Sequence, residues 1–124
     1  MEVIRNSRAD RPLIQRYRGG GFTVSGGRYV GPVVVLPTET IFWPVADIAA
    51  IDGAWLASIL VPARVSLCII GCGARMAPVP AALRQILKEA GIGTDSMETG
   101  AACRTYNMLT AEGRAVAAAL IPLA

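Results

Sequence analysis

The side chains best suited to chemistry fall in two short stretches. Gly71-Cys72-Gly73 closes an apolar run, and Met97-Glu98-Thr99 precedes a segment carrying Cys103, Arg104 and Asn107. A thiol at a helix start is held toward its thiolate by the helix dipole, and a guanidinium beside it adds to that effect. Arg104 in the first turns of a helix has the fork geometry to clamp a carboxylate or phosphate. The same residues also have a plainer reading. The glycines permit tight turns, Arg104 pairs with Glu98 or Glu112, and a cysteine flanked by alanines packs as a small core residue. Asn107 is expected to bind a neighbouring backbone carbonyl and lock the helix to a loop. Thr105 and Asn107, two apart, point to different helix faces.

Composition excludes much other chemistry. The 124 residues contain no histidine, so there is no Ser-His-Asp triad, no histidine-activated cysteine and no histidine-ligated metal. Three cysteines without C-x-x-C spacing fit reduced thiols better than a disulfide framework. No metal, cofactor or catalytic residue is assigned.

These residues require elements that bring them together. Phe22-Thr23-Val24 and Arg28-Tyr29-Val30 read as a hairpin, with Ser25-Gly26-Gly27 supplying the turn. Val33 to Leu36 and Ile41 to Trp43 read as further short strands, each stopped by proline. Asp47 is expected to cap a short segment around Ile48–Ile51, and Trp55, Leu56 and Ile59 continue at helical spacing. Val65 to Ile70 is apolar throughout, the pattern of a strand buried on both faces. A helix follows, with Pro80 near its first position, Leu83, Ile86, Leu87 and Ala90 on one face, and Gly91 as its cap. A strand at Thr94–Met97 completes a βαβ unit. Thr99 is the expected N-cap of a helix from Gly100 to Ala111, and Ala115–Ile121 the last strand. A helix precedes that strand, which by itself predicts a parallel neighbour. Residues 1–12 form an expected basic arm and 13–124 a single domain.

Charge is uneven. Residues 1–28 hold six arginines against Glu2 and Asp10, a net +4, while the remainder is −1. Such a segment suits an acidic partner or an anionic surface, and otherwise reads as a solvated terminus. Aromatic residues are sparse within it, so nucleic acid is not favoured. Mean hydropathy is +0.47. No apolar run reaches the roughly 18 residues of a membrane span, and no secretory leader is visible, so a cytoplasmic location is expected.

The pattern Ile14-Gln15-x-Tyr17, Gly21-Phe22, Tyr29-x-Gly31, Trp43-Pro44, Ile70-Gly71-x-Gly73, Met97-x-Thr99, Ala101 to Asn107 and Glu112-Gly113-Arg114 resembles the Mth938-like domain family. That family includes a mitochondrial complex I assembly factor and an adipogenesis-associated protein. The resemblance implies a three-layer α/β fold: a central mixed β-sheet flanked by helices, with a β-rich N-terminal portion. It also implies a last strand antiparallel to the others. Cys72 departs from the pattern, which has Thr between the two glycines. The implied function is assembly-factor-like protein binding, with respiratory-complex or inner-membrane subunits as partners and peripheral contact with a membrane surface. Homo-oligomerisation is compatible with it. The alternative from the residues themselves is an anion-binding or redox-active thiol site at Gly71, Cys72, Gly73, Glu98, Thr99, Cys103, Arg104 and Asn107.

Overall fold

Ser25 and Gly26 both take positive φ, 47° and 84°, which matches the right-handed twist of the strands they join. The computed structural model describes residues 11–123. The turn links β2 (Gly21–Val24) to β3 (Gly27–Val30), and β1 (Ile14–Arg16) pairs antiparallel with β2. These three strands form a small sheet of their own. The expected basic arm at 1–12 lies mostly outside the described residues. Arg16, Arg18 and Arg28, counted above with the charged N-terminal segment, belong to this sheet and its connections.

The second sheet is the centre of the molecule. It contains β4 (Val33–Val35), β5 (Thr40–Phe42), β6 (Leu67–Cys72), β7 (Gly93–Met97) and β8 (Val116–Ile121), in the order β5-β4-β8-β6-β7. β8 runs parallel to β6 and antiparallel to β4. The family-based expectation of a last strand antiparallel to all others is therefore corrected. The preceding helix crosses the sheet and returns the chain to the same end, which makes β8 parallel to β6. β6 also starts and ends two residues later than its apolar run suggests, so Gly71 and Cys72 lie within the strand.

Alternation along the strands divides the core into two. Val34, Cys68, Ile70, Ala117 and Ala119 face one side, where α1 (Gly53–Leu60) and α2 (Ala81–Glu89) cover them. Val33, Val35, Ile69, Val116, Ala118 and Leu120 face the other, under α3 (Thr99–Ala111) and the small sheet. The layers are thus α1 and α2, the five-stranded sheet, then α3 beside β1–β3. The alanines of β8 let helices approach closely from both sides.

Local chemistry accounts for most boundaries. Asp47 caps a single 3-10 turn at Ile48–Ala50, and Asp52 caps α1 through the amide of Trp55. Gly91, at φ 81°, ends α2 where the left-handed cap was expected. On α2 only Leu83 and Leu87 are buried, and Ile86 lies at the edge of the apolar face.

β6 leads outward through α2 to β7, and β7 leads back through α3 to β8. Crossovers of one hand that reverse direction must place their helices on opposite faces, as α2 and α3 are. The two connections leave the carboxyl ends of the adjacent strands β6 and β7 for opposite faces, so the reversal lies between those strands. In open α/β sheets the crevice beyond the carboxyl ends of two such strands is where ligands commonly bind.

Candidate functional site

At that reversal point the chain fills its own crevice. Thr99 is buried, and its Oγ1 accepts from the Gly73 amide at 2.8 Å while donating to the Ile121 carbonyl at 2.6 Å. The Thr99 amide in turn donates to the Gly73 carbonyl at 2.8 Å. One threonine therefore joins the ends of β6 and β8 to the start of α3. Gly71 makes this approach feasible, because a Cβ there would meet Thr99 Oγ1 and Leu120 Cδ2 at 2.9 Å. Gly73 supplies a φ of 90° for the turn out of the strand.

Thr99 is thus not the N-cap. The cap is Glu98, whose carboxylate accepts from the Gly100 amide at 3.0 Å and the Ala101 amide at 2.6 Å. The reason is geometric: the Thr99 hydroxyl is committed to the strand ends, leaving the free amides to the preceding side chain. A carboxylate at this position also complements the positive end of the helix dipole. The anion that the α3 N-terminus can hold is the chain's own. Arg104 lies 3.5 Å from Glu98 and donates to the Tyr17 hydroxyl at 3.0 Å. Its plainer role, pairing with Glu98, is the one seen.

The two thiols do not meet. Cys72 packs with the α1 and α2 core and has its Sγ 3.4 Å from the Ala77 carbonyl. Cys103 belongs to the opposite core, beneath α3. The expectation of a thiolate at Cys103 is corrected: burial pushes the thiol up to about 12, Glu98 adds to the rise, and Arg104 opposes it. Desolvation outweighs the helix dipole here because the thiol is fully buried in the core beneath α3. Cys68 is likewise pushed up to about 12 by burial.

Asn107 faces β1. Its Oδ1 accepts from the Ile14 amide at 2.9 Å, and its Nδ2 donates to the Ile14 carbonyl at 2.8 Å. The side-chain amide stands in for a neighbouring strand, as its role of locking helix to loop anticipated. The preceding residue, Tyr106, does similar work, its hydroxyl donating to the Pro12 carbonyl at 2.9 Å. Thr105 points elsewhere, toward Met97.

Of the eight residues singled out, Gly71, Gly73, Glu98 and Thr99 converge, with Arg104 at their rim. Cys72, Cys103 and Asn107 serve other contacts. Part of the arginine-rich segment expected to suit an acidic partner or an anionic surface forms a second region. An open groove of about 650 Å³ runs along the small sheet, lined by Arg16, Arg18, Arg28, Gln15, Tyr17 and Thr23. The excess of arginine was the available signal, but its concave shape depends on β1 pairing with β2.

The profile of a family described as a protein of unknown function, DUF498/DUF598, matches residues 14–121. The chain is also similar to NADH dehydrogenase (ubiquinone) 1 alpha subcomplex assembly factor 3. The human protein is 32% identical over 98% of this chain and 67% of its own length. The Danio rerio protein is 35% identical over 89% of this chain and 64% of its own length. This chain belongs to the Mth938-like (DUF498/DUF598) family. It spans between 58% and 67% of the length of the assembly factors it matches. Among solved structures, a Bordetella parapertussis protein is 31% identical, with a TM-score of 0.83 over 90% of this chain and 96% of its own. A Bordetella pertussis Mth938-like domain, 24% identical over 98% of this chain and 91% of its own, matches the fold with a TM-score of 0.79. The three-layer architecture of this Mth938-like chain is thus the family's fold.

Proposed function

We propose that this Mth938-like domain is a non-enzymatic, assembly-factor-like protein that binds a subunit of a membrane-associated respiratory complex. The observation that carries the reading is the similarity to complex I assembly factors along almost the whole chain. The geometry of the edge at the start of α3 supports it in a second way. Glu98, Thr99 and Asn107 spend their polar groups on amides and carbonyls of the fold, and Cys103 is a core thiol. Such an edge builds a stable scaffold, and the scaffold works through its surface.

Among the described residues, no helix is long and apolar enough to cross a membrane. In the proposed reading the domain meets its partner in the cytoplasm, at the surface of the membrane that holds the complex. The test is affinity capture of the tagged protein from its native cells under mild lysis, read by mass spectrometry. Recovery of respiratory-complex subunits above an untagged control is expected. A bait that repeatedly comes through without them contradicts the assembly reading.

A further inference from the structure

Two basic surfaces lie outside the clasp at Thr99. One is the exposed face of α2 with Arg84 and Lys88, where the grooves are smaller, about 270 and 360 Å³. The other is the groove on the small sheet. Its three guanidiniums, from Arg16, Arg18 and Arg28, are all exposed, and no carboxylate lines it. Among the described residues none of the three forms an ion pair. The groove is also held in shape from within. Arg28 donates to the Arg18 and Gly19 carbonyls at 3.0 and 3.1 Å, fixing the segment that carries Arg18.

We propose that this groove docks an acidic, extended polypeptide segment of the partner. This rests on the protein-binding reading above and names the surface that would serve it. The charge complement is carboxylate, which guanidinium forks can bind bidentately. Gln15 and Thr23 add groups able to hydrogen-bond a peptide backbone. The groove is open rather than enclosed, which suits a chain passing through it. A lipid surface fits less well, because none of the exposed large apolar side chains lines the groove. Nucleic acid fits less well because Tyr17 is the only aromatic residue there. Its hydroxyl is held by Arg104, and its ring lies close over Gly100.

The test is fluorescence anisotropy with a labelled octaglutamate peptide, compared with an eight-nucleotide oligothymidylate and with phosphatidylserine-containing vesicles. The peptide is expected to bind saturably and to weaken as salt rises. Arg16→Glu with Arg18→Glu is expected to weaken it about tenfold or more, as loss and reversal of two exposed charge contacts implies. Arg84→Glu with Lys88→Glu, on α2, is expected to leave it unchanged. Arg18→Gln, a milder change, covers disturbance of the sheet by charge reversal and is expected to weaken binding without moving the urea midpoint. Absent saturation, equal binding by the groove variants, or tighter binding of the oligonucleotide or vesicles overturns the proposal. Repeating the capture with the groove variant separates the two readings. Subunits recovered equally by both baits refute the groove alone. Peptide binding by a protein that captures no subunits supports the groove while the assembly reading fails.

Discussion

The clasp at the ends of β6 and β8 and the groove on β1–β3 are opposites in how they treat polar groups. At the clasp, Thr99 and Glu98 meet four backbone partners within 3.0 Å. In the groove, three guanidiniums stand exposed with no carboxylate among the lining residues. Density of recognisable residues therefore marks the region that holds the fold, and the less patterned region offers charge to a partner. A crevice position common for ligands in other sheets is here closed by the chain's own hydroxyl and carboxylate.

The largest expected effect is at Thr99. Thr99→Val keeps the shape and removes the hydroxyl, leaving the Gly73 amide and Ile121 carbonyl without that partner. A loss of about 2–4 kcal/mol in urea unfolding is expected, given roughly 1–3 kcal/mol for each buried group left unpaired. Thr99→Ser should retain most of the stability. Should Thr99→Val unfold at the wild-type midpoint, the clasp is not what joins these elements.

Alkaline pH probes the same edge through Cys103. Its thiol and that of Cys68 stay protonated in the folded protein up to about 12, above their value of 9.0 when unfolded. A raised folded value means the stabilisation is complete below pH 9 and is lost as pH rises from 9 toward 12. Between pH 7 and pH 10 the two thiols together should lose about 3 kcal/mol, at 1.4 kcal/mol for each pH unit above the unfolded value. A reactive site thiol would instead leave stability nearly flat and label rapidly at pH 7. Labelling rates and unfolding midpoints measured together decide between these.

Gly71→Ala should cost about 1–3 kcal/mol, because its new methyl meets Thr99 Oγ1 and Leu120 at 2.9 Å. The smallest effect is expected from Arg104→Ala. Arg104 is 64% exposed and its partner Glu98 38%, so the pair contributes at most about 1 kcal/mol. A loss several times larger would place Arg104 inside the clasp rather than at its rim.

What was legible in the sequence is what short segments determine. Apolar Val65–Ile70 and Ala115–Ile121 marked the two central strands, Ser25-Gly26 the hairpin, and Pro80 and Gly91 the limits of α2. Each is a local preference that packing reinforced. The competition between Glu98 and Thr99 for the cap was not legible. It is settled by Gly71, whose missing Cβ brings Thr99 onto a strand distant in sequence. Burial of Cys103 depends on a core assembled from β1, β2, β4, β6 and β8, which nothing around the cysteine announces. β1 was missed because three residues, two of them polar, carry no periodicity. Its outer edge is completed by one side chain, Asn107, rather than by a strand. The groove could not appear until β1 had been placed.

The most direct measurement is a single titration of isotope-labelled protein with octaglutamate, followed residue by residue through the backbone amide resonances. Saturable shifts are predicted at Arg16, Arg18, Gly19 and Arg28, with Gly73 and Ala101 unmoved because they lie outside the groove. Shifts centred on Gly73 and Ala101, with the arginine groove silent, would contradict the account.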